Sequence, residues 1–237
     1  MTHQFIKLDP FKEYFDVNAW AGNHTETIEE SYNRWNHLKE KLKTGVSVYE
    51  LEDFIVGAKR LINYRTKELF SLYGLKESLQ QIARKGDFYL LEELDIARPY
   101  LLNKLREMRN NVEHEFNLSV DLETCQDYLD ICWYYLRSTD YFFIRPASRL
   151  VNLSSSWDTP NSEVFKIQFD YNTKSLSFHA KIHKDDFVDA SDPNSAEIDV
   201  KSQEVSNVHK DILEVHATII GPEAITLTIF RNFFRII

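Results

Sequence analysis

Glycine and proline are scarce in this chain of 237 residues, six of each, and cysteine is scarcer, with two. That scarcity excludes collagen-like repeats, long low-complexity linkers and disulfide-stapled scaffolds. No run approaches 18 consecutive apolar residues, so no membrane-spanning helix is expected. The opening MTHQFIKLDPFKEYF lacks the apolar core of a signal peptide, and the protein is expected to be cytoplasmic. An excess of positive charge is missing too: 28 Lys and Arg stand against 37 Asp and Glu, a net charge of −9. A sequence-blind coat for DNA or RNA is thereby excluded, because counterion release needs clustered cations, although a small local patch could still hold a phosphate. There is no Gly-rich phosphate loop, no dinucleotide-binding glycine fingerprint, no CxxC pair, no Gly-x-Ser-x-Gly elbow and no HExxH.

What is present is core material. Hydrophobic residues make up 43% of the chain and aromatics 14%, enough for one large domain or two small ones. The first 150 residues read as helical. Thr27-Ile28-Glu29-Glu30 has the form of a capping box, followed by a stripe of Ile28, Tyr32, Trp35, Leu38 and Leu42. A second box, Ser47-Val48-Tyr49-Glu50, opens a longer helix carrying Leu51, Phe54, Ile55, Ala58, Leu61, Ile62 and Leu69, ending at Gly74. Leu79, Ile82 and Ala83 suggest a short helix before Gly86. Asp87 is placed to cap the next, with Leu90, Leu91, Leu94 and Ala97 on its face. Pro99 suits a first helical turn, after which Tyr100, Leu101, Leu105 and Met108 continue an apolar face. A last helix is expected from about 121 to 143, with Leu122, Cys125, Leu129, Cys132 and Leu136 buried. The two cysteines, seven apart on one face, are expected to be reduced core residues.

Beyond Pro146 the pattern changes. Pro146, Ser154-Ser155-Ser156 and Pro160-Asn161 read as a linker over 146–162. Period-two alternation follows. Val164, Ile167, Phe169 and Tyr171 predict one strand, and Asn172-Thr173 a turn. Leu176, Phe178, Ala180 and Ile182 predict a second strand, alternating with Ser177, His179, Lys181 and His183. Ile198 and Val200 suggest a short edge strand. Ile212 to Ile220 and Ala224 to Ile236 flank Gly221-Pro222-Glu223 as the limbs of a hairpin. His179, Lys181 and His183 on one strand face, followed by Asp185 and Asp186, are a candidate metal or phosphate site, with a solvated face as the plainer reading. Trp20, Trp35, Trp133 and Trp157 read as core or hinge anchors.

One constellation carries chemistry: LREMRNNVEHEF, residues 105–116, with Arg109, Asn110 and His114. With 12 Arg and 8 His in the chain, an Arg followed at one chosen spacing by a His is expected about 0.4 times by chance, so spacing alone carries little. Context adds to it. The segment resembles the motif of the HEPN superfamily (higher eukaryote and prokaryote nucleotide-binding domains): an Arg, four to six residues, then a His, often with Asn directly after the Arg. That motif lies near the join of the last two major helices of a helical bundle. The resemblance covers about residues 45–145 and leaves 163–237 outside it. Some members have a Lys before the His and a Tyr two after it, where this chain has Glu113 and Phe116.

Beside the residue pattern, which alone gives an α+β protein with a helical stretch over 1–145, a linker over 146–162 and a small antiparallel β-sheet domain over 163–237, the resemblance implies that the N-terminal α-helical bundle is HEPN-like, with its core over about 45–145. It implies a metal-independent endoribonuclease without cofactor, cleaving RNA to 2′,3′-cyclic phosphate and 5′-hydroxyl ends. His114 would be the general acid or base, Arg109 would bind the phosphate and stabilise charge on the phosphorane, and Asn110 would orient either. By the same analogy the setting would be a bacterial toxin, with a cognate antitoxin or regulatory protein, or a phage-defence effector. No membrane partner is expected. The alternative is a non-catalytic HEPN-like dimeric scaffold that binds a nucleotide, RNA or protein.

Helix geometry constrains this reading. Five residues advance 500°, so positions 109 and 114 stand about 140° apart on an unbroken helix, whereas Arg106, Asn110 and His114 share a face. Either the helix breaks within the motif, or Arg and His meet across two chains. The family favours a homodimer with two motifs in one cleft, which makes Arg106 a candidate extra phosphate contact. The plainer reading is an ordinary surface ion pair between Arg109 and Glu113, and a histidine satisfied near a helix end.

Overall fold

The computed structural model describes residues 2–7, 16–42, 47–114, 121–152, 165–190, 192, 195–205 and 210–235. The chain divides into two compact units, one of residues 22–72 and 82–146, the other of residues 1–21, 73–81 and 147–237. It passes between them four times.

The first unit is helical. It holds α1 (Thr25–Lys41), α2 (Val48–Tyr73, up to Leu72), α5 (Asp87–Glu93), α6 (Pro99–His114) and α7 (Leu122–Ile144). The box at Ser47 is real: the Ser47 amide and hydroxyl both donate to Glu50 Oε2, at 2.7 and 2.9 Å. The box at Thr27 is not the start of α1, which begins at Thr25 with His24 as its N-cap. Asp121 caps α7 by accepting the Thr124 amide at 2.8 Å, while Asp87 is the first helical residue of α5 and Gly86 its cap.

Helices α2 and α7 run parallel in a seven-residue register. Cys125 Sγ donates to the Leu51 carbonyl, Cys132 Sγ to the Ala58 carbonyl, and Arg65 Nε to Thr139 Oγ1, each pair 74 apart in sequence. A constant difference over two steps of seven keeps the same seam in contact, as in a coiled coil. This is what the cysteine spacing encodes: both thiols are free and buried. Helix α1 crosses α7 in the opposite sense, since Tyr32 donates to Asp140 and Trp35 Nε1 to the Leu129 carbonyl. Of the apolar face expected on α6, Leu105 is buried but Tyr100 is exposed, and Leu102 takes the inward place.

The second unit is an eight-stranded sheet: β1 (Thr2–Lys7), β2 (Asp16–Trp20), β3 (Ala147–Asn152), β4 (Phe165–Asp170), β5 (Ser175–His183), β6 (Phe187–Val188), β7 (Ser195–Val205) and β8 (Ile212–Gly221). The order is β2-β3-β4-β5-β8-β7-β1-β6, with every neighbouring pair antiparallel. Two short helices, α3 (Leu75–Ser78) and α4 (Gln80–Ala83), follow the end of α2. Helix α8 (Glu223–Phe234) follows β8.

The chain is α+β, but the expected small C-terminal sheet is overturned. The sheet is large, and two of its strands come from the first 20 residues, ahead of every helix among the described residues. Residues 147–152, expected within a linker, form β3, and the rest of that linker lies outside the described residues apart from Pro146. The expected short edge at Ile198 is an 11-residue strand flanked by β8 and β1. The second limb of the expected C-terminal hairpin is a helix. Its Ile225, Ile229, Phe230, Phe233 and Phe234 are buried, and the Phe169 ring of β4 sits 5.6 Å from Phe230 and 6.4 Å from Phe233. The core face of the sheet is the alternation Ile167, Phe169, Leu176, Phe178, Ala180, Ile182, Val215 and Ala217. At the end of α2, Gly74 takes φ +58°, and a Cβ there would meet Lys174 Cβ at 2.7 Å, so only glycine closes this turn. Among the described residues, no helix is long and apolar enough to cross a membrane.

Candidate functional site

The Arg-His motif lies in the second half of α6, which is helical without a break from Pro99 to His114. Seven residues after His114, Asp121 begins the cap of α7. Arg106 and Asn110 lie one turn apart on one side of α6. Asn110 is exposed, and Arg106 is half-buried. The Arg106 guanidinium is already engaged: Nη2 donates to Glu92 Oε2 at 2.8 Å on α5, and Nη1 to Asn103 Oδ1 at 3.0 Å. The side chains of Arg109, Glu113 and His114 lie outside the described residues, so their expected contacts do as well. Within one chain, the helix therefore leaves positions 109 and 114 about 140° apart around its axis.

A second locus lies on the outward face of the sheet. In β5, Leu176, Phe178, Ala180 and Ile182 fill the core face, so His179 and Lys181 project from the other. In β8, Leu213, Val215, Ala217 and Ile219 do the same and leave Glu214 and His216 outward. The register sets His179 directly opposite His216, and Lys181 opposite Glu214. The two imidazole rings stack, with centroids 3.9 Å apart and planes inclined by 23°. His179 Nε2 and Glu214 Oε1 are 2.6 Å apart. A nitrogen of each imidazole and a carboxylate oxygen of Glu214 all lie within 4.8 Å of one another. Ser202 of β7 faces His216 across the next ladder, Glu204 faces Glu214, and Lys166 of β4 faces His179.

Of the residues singled out by sequence on this face, His179 belongs to the group, whereas His183 pairs with Asp185 at 3.4 Å. Glu214 and His216 were missed. The structural neighbour of His216 is His179, on β5. The available signal was the alternation of Glu214 and His216 with buried aliphatics, but only the register of β5 against β8 makes it a site.

The tryptophans divide. Trp20 is 44% exposed, Trp35 is anchored through Nε1 to the Leu129 carbonyl at 3.0 Å, and Trp157 lies outside the described residues. No family model matches the chain, and no curated protein or solved structure resembles it to a significant degree.

Proposed function

We propose that the helical unit is a HEPN-type ribonuclease, acting on RNA in the cytoplasm as a homodimer. The observation that carries this reading is the unbroken course of α6 through the motif. With no kink between Arg109 and His114, a single chain does not turn both positions toward one phosphate, and a second copy does. The position of the segment also supports the reading: it ends α6, and α7 is the next described helix and the last of the helical unit.

The chemistry needs no metal. The ribose 2′-oxygen attacks the adjacent phosphorus, and the P–O5′ bond breaks. The products are a 2′,3′-cyclic phosphate and a 5′-hydroxyl. His114 of one protomer takes the 2′-OH proton or delivers a proton to the leaving O5′. Arg109 neutralises the equatorial oxygens as charge builds on the phosphorane. Asn110, exposed one turn beyond Arg106, orients the phosphate or the imidazole. Arg106 contributes a phosphate contact only if the incoming anion draws it from Glu92. DNA, lacking the 2′-OH, resists.

The test is RNA cleavage in EDTA by wild type, Arg109→Ala and His114→Ala, with product ends mapped and solution mass measured alongside. Cleavage leaving cyclic phosphate, lost in both variants, is expected from a dimer. RNA binding without turnover by a folded dimer would shift the assignment to the non-catalytic scaffold. Cleavage surviving both substitutions would overturn the reading of the motif.

A further inference from the structure

We propose that His179, Glu214 and His216 on the outward face of the sheet form a binding site for a divalent transition-metal ion of the zinc class. Two neutral imidazoles and one carboxylate are a ligand set that suits zinc and its first-row neighbours, and three protein ligands leave at least one coordination position open. The backbone fixes the arrangement. His179 and His216 are directly paired residues on adjacent antiparallel strands, and Glu214 is two residues from His216 on the same face. All three sit on the middle strands of the sheet, where β5 and β8 are each paired on both sides. A site on such strands is more rigid than one on a loop.

The distances are close to what an ion needs. Ligand atoms about 2.0–2.2 Å from a tetrahedral ion are separated from one another by roughly 3.3–3.6 Å. Here the three lie within 4.8 Å, so rotation of the exposed His216 ring about its side-chain bonds brings the set into range.

Two observations favour a cation at this place. The His216 ring makes no hydrogen bond among the described residues, so one of its nitrogens is available as a donor. Glu204 and Glu214 are directly opposed carboxylates on neighbouring strands, a like-charge pairing that is unfavourable unless positive charge lies beside it. Lys181 supplies some of that charge from the β5 side of Glu214, and an ion held by the two imidazoles supplies more. Lys166, facing His179, would favour an anion or hydroxide at the open position.

The experiment titrates the EDTA-dialysed full chain with cobalt(II), following its visible ligand-field absorption, and with zinc by calorimetry. Wild type is expected to take up one ion per chain. His216→Ala and Glu214→Gln, each checked for folding by circular dichroism, should weaken uptake at least tenfold. His37→Ala, exposed on α1, should leave it unchanged. A folded wild type that binds neither ion at 100-fold molar excess would overturn the proposal, as would uptake reduced less than threefold by both site substitutions. Because the site uses no residue of α6, its failure leaves the ribonuclease reading untouched, and the reverse also holds.

Discussion

At the scale of single residues, Arg65 is the most consequential side chain in the helical unit. Its guanidinium is wholly buried. Nε donates to Thr139 Oγ1 at 2.9 Å, Nη2 to Asp140 Oδ1 at 2.7 Å, and the group lies 4.2 Å over the Phe143 ring. Burial pulls its pKa down, and the Asp140 carboxylate opposes that shift. Removing the guanidinium leaves Asp140 Oδ1 without its charged partner, while Tyr32 and Arg137 still hold Oδ2, so Arg65→Ala should cost about 3 kcal/mol of stability in urea unfolding. Arg65→Met combined with Asp140→Asn should recover much of that loss, because neither charge is then left alone. If the double variant is no more stable than Arg65→Ala, the stranded charge is not the cause. The cysteines make a second prediction at this scale. Burial pushes the Cys125 thiol up to about 11 and the Cys132 thiol up to about 12. Since the thiolate is the reactive form, neither should react with a disulfide reagent at pH 8 in the folded protein. Both should react promptly in guanidinium chloride. Fast labelling of either in the native state would contradict the α2–α7 seam.

At the scale of elements, the helix starts carry a pH signature. Hydrogen bonds from the Ser47 amide, then from its hydroxyl, hold the Glu50 carboxyl below its ordinary 4.5. The Thr124 side chain and amide hold Asp121 below 3.8. A carboxyl depressed in the folded state adds stability that is fully present above its unfolded pKa and is lost as pH falls through the folded value. Thermal melts should therefore drop between pH 5 and pH 3, and Glu50→Gln and Asp121→Asn should each flatten that drop. Ser47→Ala, which removes a cap from α2, should cost about 1 kcal/mol at pH 7. These helix starts were legible because their signals are local: four residues contain the whole box. The helix α8 was not. Ile225, Leu227 and Ile229 alternate with Thr226 and Thr228, a β-branched period-two pattern, yet eight of the twelve residues, Thr226 and Asn232 among them, are buried in a helix. A short apolar run surrounded by core has no dry and wet sides to betray its period. What the sequence did offer was Pro222 before Glu223, the proline and first-turn acid of a helix start. Strand β3 was hidden in a similar way, read as linker because Pro146 and the serine triplet flank it, while its Leu150 and Val151 are core.

At the scale of the whole molecule, the parts that escaped the sequence are pairings between distant segments. Strand β1 lies against β7, nearly two hundred residues away, with Ile6 as its one buried aliphatic side chain. Nothing local in THQFIK announces that partner. The outward His179–Glu214–His216 group shares the same origin, since each residue is unremarkable on its own strand and the register assembles them. Net charge, by contrast, is read directly from composition, and it bears on the ribonuclease reading. A protein at −9 repels RNA at long range, so binding must come from few contacts rather than a basic surface. If a dimer cleft presents two copies each of Arg106 and Arg109, at most four cations meet the backbone. The logarithm of the binding constant for single-stranded RNA should then fall against the logarithm of salt with a slope of about −3. If Arg106 stays with Glu92, two cations remain and the slope is about −1.4. Arg109→Ala removes one cation per protomer and should lessen the slope by about 1.4 in either case. Fluorescence anisotropy with a labelled, 2′-deoxy-substituted RNA between 50 and 300 mM salt measures this without turnover. A slope steeper than about −5, unchanged by Arg109→Ala, would place RNA on some other surface and remove α6 from its recognition.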